Sequence, residues 1–185
     1  MDEPVLEPGM VLIAPHPSES VEILETPRET GDRYRLRLRA PIGGGPGVKG
    51  RGVHAHPGFV ESFRCVAGSI RVRVGSELGD LSPGQSVEVP PDSLHGFVGI
   101  GNQPLVTDVE IVFTPPGPRP QADLVAHWAT VDQLIKEGSV SERTGMPPLL
   151  QLAALLDRVP EAFRMPGPVG WLVKPLAVVG RLMGY

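Results

Sequence analysis

The sequence predicts a mainly β fold, a sandwich or barrel of antiparallel strands over residues 1–118, followed by a small α-helical extension over residues 119–185. Three observations carry this. From about residue 10 to 114, apolar and polar residues alternate with a period of two in segment after segment. Gly 23 and Pro 22 fall between those segments rather than in repeats, as tight turns between short strands require. After "TPPGPRPQAD" the apolar period changes to 3.6.

The strands are read as follows. "RYRLRLRAP" sets Tyr34, Leu36 and Leu38 against Arg33, Arg35, Arg37 and Arg39. "SIRVRVG" sets Ile70, Val72 and Val74 against Arg71 and Arg73, and "QSVEVP" and "VTDVEIVF" repeat the pattern. Each is a half-buried strand, with its arginines on a solvated face. The intervening "IGGGPGVKGRG", "GSELGDLSPGQ" and "PPDS" read as turn chemistry. Many short strands at regular spacing suggest a sandwich or barrel.

The Pro-rich "TPPGPRPQAD" stops the last strand. "QADLVAHWATVDQLIKEG" then places Leu124, Val125, Trp128, Val131, Leu134 and Ile135 on one helical face, with Gly138 as its C-cap. "PPLLQLAALLDRV" is a second helix with its prolines at the start, where they are tolerated. "PVGWLVKPLAVVGRLMGY" is a third, with a kink expected at Pro175. These helices are expected to pack on the β domain or on a second copy of the chain. A lid over a cleft, and peripheral membrane contact with Trp171 as anchor and Lys174 and Arg181 snorkelling, are the other readings.

The 185 residues are 41% apolar and 21% charged, ordinary for a globular chain. A net charge of −4 argues against nucleic acid as a main partner. Cys65 is the one cysteine, so no disulfide can form within the chain, and it reads as a buried packing residue. "MDEPVLEPGM" has neither the basic nor the apolar region of a signal peptide. No run reaches the roughly 18 apolar residues of a membrane span. A cytoplasmic location is expected.

The candidate chemistry lies among the five histidines. His16, in a loop, and His127, inside a helix, read as structural or surface residues. His54 and His56, two apart on a strand, face the same side. Glu61, five positions after His56, would face the other side of a straight strand. Pro57-Gly58 interrupts that strand, so the chain can resume with Glu61 facing inward. His95 alternates with Phe97 after a turn unit that begins at Gly84. An H-x-H pair alone is as well explained by chance on an exposed strand. Three imidazoles and a carboxylate together make a first-row metal set, suited to Fe, Mn, Ni, Cu or Zn, with room for open coordination positions. "GGGPGVKG" lacks the Gly-Lys-Ser/Thr ending of a phosphate loop and reads as a mobile lip before the His54 strand.

These residues resemble the two motifs of the cupin superfamily over roughly residues 45–114. The first motif is glycine, five residues, His-x-His, three or four residues, Glu, six residues, Gly. It is matched by His54, His56, Glu61 and Gly68; its leading glycine would be Val48, with Gly47 beside it. The second is glycine, five residues, Pro-x-Gly, two residues, His, three residues, Asn. It is matched by Gly84, Pro90 and His95, with Asp92 in place of its middle glycine and Gly99 in place of its asparagine; Asn102 falls three positions late.

The resemblance implies an antiparallel jelly-roll barrel holding a divalent transition metal on His54, His56, Glu61 and His95. Inward residues such as Phe59, Phe63, Val72, Val87, Val89 and Phe97 would line its interior or simply pack it. The expected function is a metal-dependent oxidoreductase of dioxygenase type acting on a small organic molecule, with Glu61 the candidate base. A non-enzymatic binding or sensor module is the alternative from another class, and metal-dependent isomerase or decarboxylase chemistry a third. The expected partners are a small-molecule substrate or ligand and, for the tail, a second copy forming a homodimer, but neither nucleic acid nor a membrane.

Overall fold

The computed structural model describes residues 6–13, 19–45, 47, 53–113, 118–141, 147–160 and 162–185. Nine strands are described: β1 (Val11–Ile13), β2 (Ser20–Glu25), β3 (Arg33–Ala40), β4 (Phe59–Ala67), β5 (Ser69–Val74), β6 (Glu77–Leu81), β7 (Ser86–Val89), β8 (His95–Ile100) and β9 (Leu105–Phe113). They form two antiparallel sheets, one ordered β1-β2-β3-β9-β4-β7 and one ordered β6-β5-β8. A short helix, α1 (Pro27–Thr30), joins β2 to β3; α2 (Pro118–Lys136), α3 (Leu149–Arg158) and α4 (Gly167–Leu182) follow the strands.

Alternation in the sequence becomes alternation between the interior and the outer face. Along β4, Phe59, Glu61, Phe63 and Cys65 are buried and the residues between them are not. The same holds in β9 for Leu105, Thr107, Val109, Ile111 and Phe113. Each fully buried Phe or Ile contributes about 1.5–3 kcal/mol of burial free energy. Phe59, Phe63, Ile23, Ile70, Leu105 and Ile111 are the largest such strand residues.

The outer arginines are paired across strands rather than merely solvated. Arg37 sits directly opposite Asp108 and binds it with two nitrogens, at 2.7 and 3.1 Å. Arg71 does the same to Asp80, at 2.6 and 2.7 Å. That second pair corrects the expectation for "GSELGDLSPGQ". Glu77–Leu81 is not part of a turn but strand β6, paired with β5. Four of its five residues are exposed, so no alternation marks it. Helix α1 also carries no apolar pattern; its start is fixed by the Glu29 carboxylate, which accepts the Thr26 N–H at 3.1 Å.

The helices complete the core of the β domain. Leu124 and Val125 of α2, with Val159 and Ala162 beyond α3, belong to the same buried cluster as the sheet residues. Trp128 meets Tyr34 of β3 edge-on at 5.8 Å, and Tyr34 meets Phe113 at 6.1 Å. Gly138 follows α2 with φ 68°, as expected of its cap. Pro148 directly precedes α3, and α4 continues through Pro175. On α4, Ala177 is buried while Trp171, Leu172 and Leu182 are exposed, as is Met183 just after it. Among the described residues, no helix is long and apolar enough to cross a membrane.

Candidate metal centre

The centre is assembled from three stretches of chain. His54 and His95 exchange both backbone hydrogen bonds, at 3.0 and 2.8 Å, so their side chains stand next to each other. Their ring centroids are 4.6 Å apart. His56 lies two residues on, with its ring 4.8 Å from that of His54 and 4.9 Å from that of His95. After a turn at Pro57-Gly58 the chain enters β4, whose alternation sends Glu61 inward. The carboxylate thus reaches the two rings despite its odd spacing from His56.

The ring nitrogens of His54, His56 and His95 offer ligand atoms within 4.8 Å of one another, a cluster able to hold a metal ion. Glu61 Oε2 lies 2.8 Å from His95 Nε2 and 3.5 Å from His56 Nε2. His56, Glu61 and His95 are buried, at 5%, 8% and 1% exposure, and His54 is partly so.

The tautomers follow from the outer hydrogen bonds. A backbone carbonyl only accepts, so a ring nitrogen bonded to one carries the proton. His95 Nδ1–H donates to the Ser93 carbonyl at 2.9 Å, and His56 Nδ1–H donates to the Ala162 carbonyl. In the neutral rings, both Nε2 atoms then carry lone pairs, and both face the Glu61 carboxylate. His95 Nε2 and Glu61 Oε2 are buried and lack a partner in hydrogen-bond geometry, despite their 2.8 Å separation. Lone pairs of nitrogen and oxygen facing one another in a buried place need a cation among them, either a proton or a metal ion. The residues therefore fit a divalent transition metal, whose imidazole ligands normally donate their other nitrogen to such carbonyls.

When a proton is the cation, burial still raises the Glu61 pKa, but the charge of His56 and hydrogen bonding from protonated His56 and His95 outweigh it, holding the carboxyl well below the usual range. Burial opposes the charged form of His95, yet Glu61, with help from the Ser93 carbonyl, raises its pKa. Phe59 stacks on His56 at 4.3 Å, while Phe63 lies 5.1 Å from Phe97 and 6.1 Å from His95, giving the centre apolar walls. Val72, Val89 and Phe97 are buried in the same core, and Val87 packs against it partly buried.

The departures from the sequence motifs have local explanations. Asp92 takes the left-handed conformation, φ 63°, that the motif's glycine would take, and it is the one non-glycine to do so among the described residues. Its N–H donates to the His56 carbonyl at 3.0 Å. At Gly99 a Cβ would stand 3.3 Å from both the Pro41 carbonyl oxygen and the Leu105 Cβ, so a side chain has little room. Gly43 and Gly44 pair with its backbone instead. Gly47 has φ 87° and donates to the Phe97 carbonyl at 2.7 Å, a glycine's role one position before the motif's. The described part of the expected lip is thus bonded to β8, while Val48 and the rest lie outside the described residues.

Two contributions escape the sequence. The first is Ala162–Arg164, which touches the centre from beyond α3. The second is His127, whose ring is 4.0 Å from that of Phe163, itself 4.7 Å from His56 and 5.4 Å from His54. His127 Nδ1 is enclosed with no hydrogen-bond partner. Its place three residues after Leu124, on the inward face of α2, was the available signal. Cys65 is fully buried, which raises its thiol pKa and leaves it a packing residue. His16 lies outside the described residues.

Comparison with known proteins places these observations. The family model described as the cupin domain matches residues 45–112. Among solved structures, KdgF from Halomonas sp. is 23% identical, over 52% of this chain and 81% of that one, with a TM-score of 0.44. A predicted oxalate decarboxylase from Thermotoga maritima is 18% identical, over 59% and 98%, with a TM-score of 0.47. An RmlC-like cupin from Shewanella frigidimarina is 20% identical, over 55% and 78%, with a TM-score of 0.44. No curated protein matches the sequence.

Proposed function

The chain belongs to the cupin superfamily through a cupin domain at residues 45–112, and on that premise we propose that it is a metal-dependent oxidoreductase of dioxygenase type acting on a small organic molecule. His54, His56, Glu61 and His95 would hold the metal. The observation that supports this most is the buried meeting of His95 Nε2 and Glu61 Oε2, two acceptor atoms without a hydrogen-bond partner, with His56 Nε2 3.5 Å from the same carboxylate oxygen. A redox-active divalent metal bound there supplies Lewis acidity and a place for dioxygen and substrate to meet.

The protein's own groups set the conditions for that chemistry. Ser93 and Ala162 fix the rings of His95 and His56 through their Nδ1 protons. Phe59, Phe63 and Phe97 exclude water and favour an apolar portion of the substrate. Glu61 is the carboxylate placed to accept a proton from a bound substrate, and because its histidines hold it ionised and lower its basicity, it would do so only on loosening from them.

Oxygen uptake by iron- or nickel-loaded protein, measured across a panel of phenols and thiols, tests the proposal. Metal-dependent uptake with at least one class is expected. A metal-loaded protein that consumes no oxygen with any of them contradicts the oxidoreductase assignment.

A further inference from the structure

We propose that Ala162–Arg164, the strap between α3 and α4, is a positioning element of the metal centre, its Ala162 carbonyl holding the His56 ring so that Nε2 is the nitrogen presented to the metal. The proposal rests on reading the histidine cluster as a metal site.

The two buried imidazoles are oriented by different means. His95 finds its carbonyl two residues away, at Ser93, within its own turn. His56 finds its carbonyl 106 residues away, in the helical extension. The extension is therefore joined to the centre by the bond that sets a ligand's tautomer.

Three further contacts fix where that carbonyl stands. Arg164 and Ala55 exchange backbone hydrogen bonds at 2.9 and 2.8 Å, and Ala55 is the residue between His54 and His56. The Arg164 guanidinium reaches the Asp92 carboxylate at 2.8 Å, while the Asp92 N–H holds the His56 carbonyl. Phe163 lays its ring against both His54 and His56. Each contact ends within residues 54–56 or on the residue that binds their backbone. A strap serving only to connect two helices would need none of them. Outer hydrogen bonds of this kind typically carry about 10–100-fold in metal affinity.

The test uses the full chain with Zn(II) as a diamagnetic probe. Two-bond nitrogen–proton NMR reads the protonation of each ring nitrogen, and a chromophoric chelator in competition reads affinity. In the wild type, His56 is expected to carry its proton on Nδ1 with and without zinc. Arg164→Pro removes the N–H given to Ala55, and Phe163→Ala removes the ring that backs the histidines. Arg164→Pro is expected to lower zinc affinity by about 10–100-fold and Phe163→Ala by a smaller factor. In both, the His56 Nδ1 proton should exchange faster while the Ser93-bound His95 proton is unchanged. Phe163→Leu should restore most of the affinity lost in Phe163→Ala.

Zinc affinity within twofold of wild type in both variants, or a His56 protonated on Nε2, overturns the proposal. The His95 signal reports whether Arg164→Pro has folded; if it has not, Phe163→Ala and the wild-type tautomer decide. A wild type that binds no metal refutes the metal-site reading instead, and the His56 tautomer in the metal-free protein still tests the strap.

Discussion

Glu61 and His95 approach to 2.8 Å inside the barrel, oxygen to ring nitrogen, without hydrogen-bond geometry. The two residues come from different sheets, so this approach is fixed by the packing of β4 against β8 rather than by local sequence. Replacing Glu61 by Gln keeps the shape and removes the charge. Glu61→Gln is expected to bind Zn(II) at least about tenfold more weakly than wild type, by chelator competition. Equal affinity would remove Glu61 from the ligand set.

Asp92 pays for its left-handed backbone, a conformation that costs an ordinary L-residue about 1–2 kcal/mol but that Asp tolerates better than most. Asp92→Ala should therefore lower stability by about 1 kcal/mol in urea denaturation, and Asp92→Gly should sit close to wild type. Equal losses in the two variants would show that the Arg164 ion pair, which both remove, and not the backbone, sets this residue.

His127 is pushed down to about 3 from its ordinary 6.5, first by burial and then by the charge of His56. The folded protein keeps it neutral, whereas the unfolded chain protonates it below about pH 6.5. Its contribution is thus fully present above pH 6.5 and is lost as pH falls towards 3. By pH 4.5 the loss is on the order of 2 kcal/mol. His127→Leu should flatten this part of the stability–pH curve, measured by urea midpoints at pH 7 and 4.5. Parallel curves for the two proteins would contradict the account.

Phe63 is 1% exposed and lies between Phe97 and His95. Phe63→Ala should cost about 3–5 kcal/mol in stability, the range for an aromatic cavity. A loss below 1 kcal/mol would mean the wall beside the centre is not tightly packed.

What the sequence makes legible follows from which groups leave a periodic trace. β3, β5 and β9 each bury one face, so their alternation is plain. β6 is exposed along nearly its whole length, and so reads as a turn. His54, His56, Glu61 and His95 are legible because side-chain chemistry and spacing coincide, and Pro57-Gly58 accounts for the one irregular interval. The strap is not legible. Its bond to His56 uses a backbone carbonyl, which every residue has, and its register with Ala55 depends on how α2 and α3 pack on the barrel. His127 lay on a visible apolar face, but its meaning depends on Phe163, whose position no local pattern fixes.

Metal analysis tests the central claim most directly. Protein purified without chelator is expected to carry close to one transition metal ion per chain, and His54→Ala, folded as judged by circular dichroism, far less. A wild-type protein with no stoichiometric metal, before and after incubation with Fe(II), Mn(II), Ni(II), Cu(II) or Zn(II), would contradict it.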